Sequence, residues 1–348
     1  MRSIRILALV AALGALLGVG ANAAGAATVK VQSIYYKADH IGDRIVVLSS
    51  PGEANDVTVV KDGTAVVVTD RLPLVAGPGC ENRAERAVSC SVTPVLSVSF
   101  RVRLGDRGDR ARVEGNVFAE LDGGPGNDQL VGLPDRATTF LGGTGNDRMV
   151  GGSGSDAFLG GAKRDGADTM IGGSPPPQGS PFPEFDTVTY ARRSQGVHAD
   201  LDGDRDDGAP GERDLIGGDI EVIDGSRGAD VLTGGPATDR ISGGDGRDLI
   251  RGGGGTDYLV GDPWVVDRSR SEDRILGGTG ADVLTGGAGG DRITGGPGDD
   301  TIYAGPGPDR IRTRDDAADT VICGPGRDSL LFDTLDFPRP DCERLSTR

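Results

Sequence analysis

Lysine, histidine and aromatic side chains are scarce in this chain of 348 residues. There are four lysines (Lys30, Lys37, Lys61 and Lys163), two histidines (His40 and His198) and one tryptophan, and aromatics make up 4% of the sequence. Beside sixty glycines, that shortage leaves little to fill a wide core. A thin apolar interior with many tight turns is expected instead. The formal charge of −16 argues against a nucleic-acid binder, which needs basic surface. H-E-x-x-H and G-x-S-x-G are absent, and two histidines are too few for most triads. Cysteine is limited to Cys80, Cys90, Cys323 and Cys342, without zinc-finger spacing and far from either histidine, so zinc is not expected. Four cysteines allow three pairings; the two local ones, Cys80–Cys90 and Cys323–Cys342, are favoured.

One apolar run stands at the N-terminus. Arg2 and Arg5 precede Ile6 to Val19, and Ala21-Asn22-Ala23 follows as a cleavage box. The run is short and small residues follow it, so a secretory signal peptide over 1–27 is expected rather than a membrane span. No second run approaches membrane length.

From Asp122 onward the chain repeats at a period of nine. The clearest stretch is Gly277-Gly-Thr-Gly-Ala-Asp-Val-Leu-Thr285, followed by two more units through Tyr303. Each unit reads G-G-x-G-x-D-x-U-x, with U apolar. The sixth position holds Asp128, Asp147, Asp156, Asp168, Asp230, Asp239, Asp248, Asp257, Asp273, Asp282, Asp291, Asp300, Asp309, Asp319 and Asp328. Two residues after every one of them comes an apolar side chain, from Leu130 to Leu330. Two residues before each is glycine, except at Ala237, Ser271 and Ala317. This spacing fits a six-residue turn followed by a three-residue strand with one side chain buried. A single unit cannot bury its apolar face alone, so stability must come from stacking.

On these residues the chain resembles the RTX nonapeptide-repeat family of secreted bacterial proteins. The resemblance covers roughly 122–173 and 225–331. It implies a right-handed parallel β-roll with two units per coil, and calcium held between stacked turns by the fifteen aspartates above and by turn carbonyls. Electrostatics favours the same ion, because stacking would bring like charges together. A hard divalent cation that accepts irregular oxygen ligands relieves that repulsion. Calcium is then expected to govern folding. Many members of that family carry an uncleaved C-terminal export signal and lack cysteine. The N-terminal signal and four cysteines here depart from that pattern, implying general export and oxidative folding.

The expected architecture is all-β. A signal (1–27) precedes an N-terminal β domain or cap (28–104), a first repeat block (105–173) and a Pro-rich spacer with longer coils (174–224). A second block (225–331) and a C-terminal cap (332–348) follow. Within the spacer, Asp202, Asp204, Asp206 and Asp207 do not fit an EF-hand, since Asp207 and Arg213 stand where glycine and glutamate would be required; a solvated acidic loop is favoured there. The unit from Gly132 to Ala137 lacks its acid, and Trp264 sits in an insertion. The expected function is that of a secreted, calcium-binding structural or interaction module without enzymatic activity, without nucleic acid and without a membrane span. A secreted hydrolase with its site in the N-terminal region or spacer is the alternative.

Overall fold

The computed structural model describes residues 26–36, 39–92, 97–174, 185–262 and 271–347. The expected signal peptide lies almost wholly outside these residues, and Trp264 and most of the proline-rich stretch lie outside them too. Among the described residues there is no helix, and none that could cross a membrane. Strands assemble into sheets of fifteen, nine and eight members.

The nonapeptide period explains this layout. Each unit contributes one three-residue strand, and successive units alternate between opposite faces, so strands two units apart become parallel neighbours. On one face Ile275, Ile293, Ile311 and Leu330 stand in register. On the other, Leu259, Leu284, Ile302 and Val321 do the same. All eight are buried. Each contributes roughly 1.5–3 kcal/mol by leaving water, and only in the stack is it covered from both sides. The first block uses bulkier rungs: Phe140 and Phe158 stack with ring centroids 4.9 Å apart and planes 3° from parallel. The long sheet runs along one face throughout. The nine-stranded sheet backs it in the first half and the eight-stranded sheet in the second.

The spacer stays within the roll. Its strand-like runs form Thr187–Thr189, His198–Asp200 and Val222–Asp224. These pair in parallel with strands of both flanking blocks.

The valine-rich N-terminal strands are laid on the end of the stack. Asp39–Leu48 pairs in parallel with Ser97–Arg103, and Asp56–Asp62 with Arg110–Glu114, so the first coil lies well before residue 104. Antiparallel partners then cover it: Ala27–Tyr36 on one side, and Ala65–Thr69, Ala87–Ser91 and Cys80–Ala84 on the other. They pair an edge that would otherwise be open. Cys80–Cys90 bridges two of these strands, and Cys323–Cys342 ties the tail to the last full coil. The tail adds Phe337–Pro338 to the long sheet and Arg344–Ser346 to the eight-stranded one.

Candidate metal centres

Stacking turns as closely as β-strands requires backbone without side chains. At Gly280, φ is +129°, and a methyl group there would lie 1.6 Å from the carbonyl oxygen of Gly255 in the preceding coil. Only glycine tolerates both the conformation and the approach.

That approach aligns the aspartates into ladders. The backbone N–H of each aspartate donates to Oδ1 of its counterpart one coil later. Asp230 donates to Asp248 at 2.8 Å, and Asp248 to Asp273, Asp273 to Asp291, and Asp291 to Asp309, each at 2.9 Å. The opposite edge runs Asp239, Asp257, Asp282, Asp300, Asp319 and Asp336. In the first block, Asn55, Asp109, Asp128, Asp147, Asp168 and Asp214 form a third ladder.

Oδ1 is thereby satisfied, but Oδ2 is not. In Asp128, Asp147, Asp248, Asp257, Asp273, Asp282, Asp291, Asp300, Asp309, Asp319 and Asp328, Oδ2 is buried without a hydrogen-bond partner among the described residues. A methyl group at Gly277 would lie 2.5 Å from Asp282 Oδ2 and 2.5 Å from the Gly295 carbonyl oxygen of the next coil. At Gly252 the same position is 2.3 Å from Asp257 Oδ2 and 2.3 Å from the Gly277 oxygen. A carboxylate oxygen and a carbonyl oxygen thus face one small gap, a donor set that fits a hard cation. Without a cation the carboxylates resist ionisation. Burial pushes Asp273 and Asp300 up to about 8, with charge on neighbouring acids adding to it and the ladder N–H opposing it. Asp128, Asp248, Asp257, Asp309 and Asp319 rise to about 7 for the same first reason.

The sequence of this region matches one family model, the RTX calcium-binding nonapeptide repeat, in four copies at 135–162, 216–245, 233–263 and 273–311. The chain carries RTX repeats. No curated protein matches it. With strands paired in parallel along both faces, the RTX region is a calcium-binding parallel β-roll.

The RTX turns are of two kinds. Where Oδ2 is orphaned, the second residue of the turn can send its N–H across to the next coil, as Gly244 does to Gly261, Gly278 to Gly295 and Gly287 to Ala304, each at 3.1 Å. At three of the fifteen repeat aspartates that N–H folds back onto the turn's own carboxylate instead: Gly152 to Asp156 (2.7 Å), Ser226 to Asp230 (2.6 Å) and Gly235 to Asp239 (2.6 Å), as Gly161 also does to Asp165 (2.7 Å) outside the repeat pattern. These carboxylates are capped by their own turns. Asp168 is buried in its ladder and rises to about 8 through burial, and its Oδ2 is not among the orphans.

Several ladder members escape the repeat pattern. Asp109 has an orphaned Oδ2 like the repeat aspartates. Asp186, Asp214 and Asp336 stand in ladder positions, and Glu221 and Glu343 accept the N–H of Asp186 and Asp328. In the unit without a sixth-position acid, Thr138 takes the aspartate's place, donating its N–H to Asp156 Oδ1 and accepting that of Leu133. The glycine-free turn before Asp319 brings Asp315 to Asp300 and Asp319, with one oxygen of each within 4.8 Å of the others. An acid directly preceding the strand is the signal that finds Asp186, Asp214 and Asp336; nothing in the repeat marks Asp315.

The spacer gathers charge differently. Buried Arg193 holds Asp165 at 2.6 Å and also bonds Glu212. Glu212 is drawn down to about 2: burial would raise it, but the bonds from Arg193 and Asp165 outweigh that. His198, Asp200, Asp206 and Asp207 bring ligand atoms within 4.8 Å of one another. Asp207 is not solvated as the acidic-loop expectation had it. It is fully buried and accepts the N–H groups of Asp200 (2.7 Å) and Ile216 (2.9 Å), tying the loop to the roll.

Proposed function

We propose that this protein is a secreted structural or interaction module that folds when calcium fills its RTX turns. The observation that carries this is the row of buried, partnerless Oδ2 atoms facing carbonyl oxygens. Asp128, Asp147, Asp248, Asp257, Asp273, Asp282, Asp291, Asp300, Asp309, Asp319 and Asp328 are the proposed ligands. Asp156, Asp230 and Asp239 serve chiefly to close their own turns, and Asp168 belongs with the ladder rather than with the open sites. Export rests on the apolar N-terminal run and fits the two disulfides. Extracellular calcium modules bind at about 0.1–1 mM, which would keep the chain unfolded until it leaves the cell.

The module reading also draws on the missing catalytic motifs. A hydrolase would need carboxylates open to substrate, whereas Asp165 of the first block and Glu212 of the spacer, which converge on Arg193, are bonded to it. The deciding experiment is a calcium titration followed by far-UV circular dichroism. Conversion from a largely disordered chain to β structure at millimolar calcium is expected. A β spectrum unchanged by excess chelator at pH 8 would defeat the proposal.

A further inference from the structure

The outer face of the eight-stranded sheet carries an ordered array of arginines on an otherwise acidic protein. Arg274, Arg292 and Arg310 occupy the same position in three consecutive parallel strands. Parallel strands lie about 4.8 Å apart, so three exposed guanidinium groups form a column along the roll axis. Arg251 and Arg312, also exposed, flank it in the neighbouring column. Like charges directly opposite one another destabilise a sheet, and a chain of net charge −16 could readily have interleaved acids. It does so only at the rim, where Glu272 bonds Arg247 and lies 4.0 Å from Arg292. Among the described residues Arg251, Arg274, Arg310 and Arg312 have no carboxylate partner. Across the same coils, the long sheet presents uncharged residues such as Tyr258, Val283, Thr301 and Thr320.

We propose that this arginine face binds a linear acidic polysaccharide lying along the roll axis. A sugar ring is about as long as the gap between strands, so a chain with one carboxylate per ring can meet one guanidinium per coil. Arginine's planar fork suits carboxylate in two-point contacts. Nucleic acid is disfavoured because no aromatic side chain stands among the outward positions of Leu249–Arg251, Arg274–Leu276, Arg292–Thr294 and Arg310–Arg312 to stack a base. The nearest acids, Asp273, Asp291 and Asp309, directly precede these arginines but are buried in the ladder, and at physiological salt a screening length of about 8 Å weakens the acids farther off. The inference rests on strand register and not on which turns hold calcium.

The test uses the full chain in 1 mM calcium and short oligogalacturonates, too short to gel, measured by calorimetry at several salt concentrations. Binding that weakens with salt is expected, with at least a tenfold loss in the triple variant Arg274→Gln/Arg292→Gln/Arg310→Gln. The control Thr301→Glu, on the opposite face, should stay within twofold of wild type. Circular dichroism confirms that each variant is folded; if the triple variant is not, Arg292→Gln alone should still weaken binding at least threefold. Four results would overturn the inference: no binding, equal losses in variant and control, tighter binding to single-stranded DNA, or self-association of the free protein that the arginine variants abolish. None of them bears on the calcium titration, so the two proposals fail separately.

Discussion

Asp291 donates its backbone N–H to Oδ1 of Asp309 at 2.9 Å, while Oδ2 of both carboxylates is buried without a partner. One oxygen builds the coil stack and the other is left over for a cation. Under the proposed ligand set, structure and metal binding share a side chain but not an atom, and substitutions can separate them.

Asparagine at Asp291 keeps an oxygen for the ladder and removes the charge. In chelator, Asp291→Asn should therefore keep its β structure to a higher pH than wild type, because burial raises this carboxyl to about 6 and its ionisation opposes folding. In calcium the order should reverse, with one fewer ion bound or a site at least about tenfold weaker. Asp239→Asn, at a turn closed by Gly235, should leave the number of bound ions unchanged. Calorimetric titration of the two variants compares them directly.

Calcium-free stability should fall as pH rises. Asp248, Asp273, Asp300 and Asp309 ionise near 3.8 in the unfolded chain and at about 7, 8, 8 and 7 in the roll. The native state therefore binds more protons between those values, and the stability present below pH 4 is lost progressively up to about pH 8. Thermal unfolding in chelator across pH 4–8 should show a declining midpoint; a flat or rising profile would refute it. Added calcium should restore the midpoint at pH 8 and do little at pH 4, where protons occupy the carboxylates.

Glycine positions should differ sharply in cost. Gly280→Ala drives a methyl group into the backbone of the coil below, and loss of the cooperative transition or a cost above about 3 kcal/mol is expected. Gly52 also has positive φ (+88°) but open space around it, so Gly52→Ala should cost only about 1 kcal/mol. Chemical denaturation in calcium measures both.

The sequence by itself determined the coil, because a nine-residue period with one apolar and one acidic position admits few arrangements that bury the first and gather the second. Leu130 through Leu330 and the fifteen aspartates were legible from spacing alone. The nine-residue period did not reveal ladder membership at Asp186 and Asp214, which follow their partners Asp156 and Asp168 by 30 and 46 residues. Insertions of that length erase the period while strand pairing restores the register. Tertiary structure alone decided which aspartates cap their own turns. That depends on whether the second residue's N–H points along its own turn or across to the next coil, and the motif G-G-x-G-x-D is written the same way for Asp156 as for Asp248. The arginine column likewise exists only once coils are stacked, since charge pattern in a sequence acquires a direction in space through register.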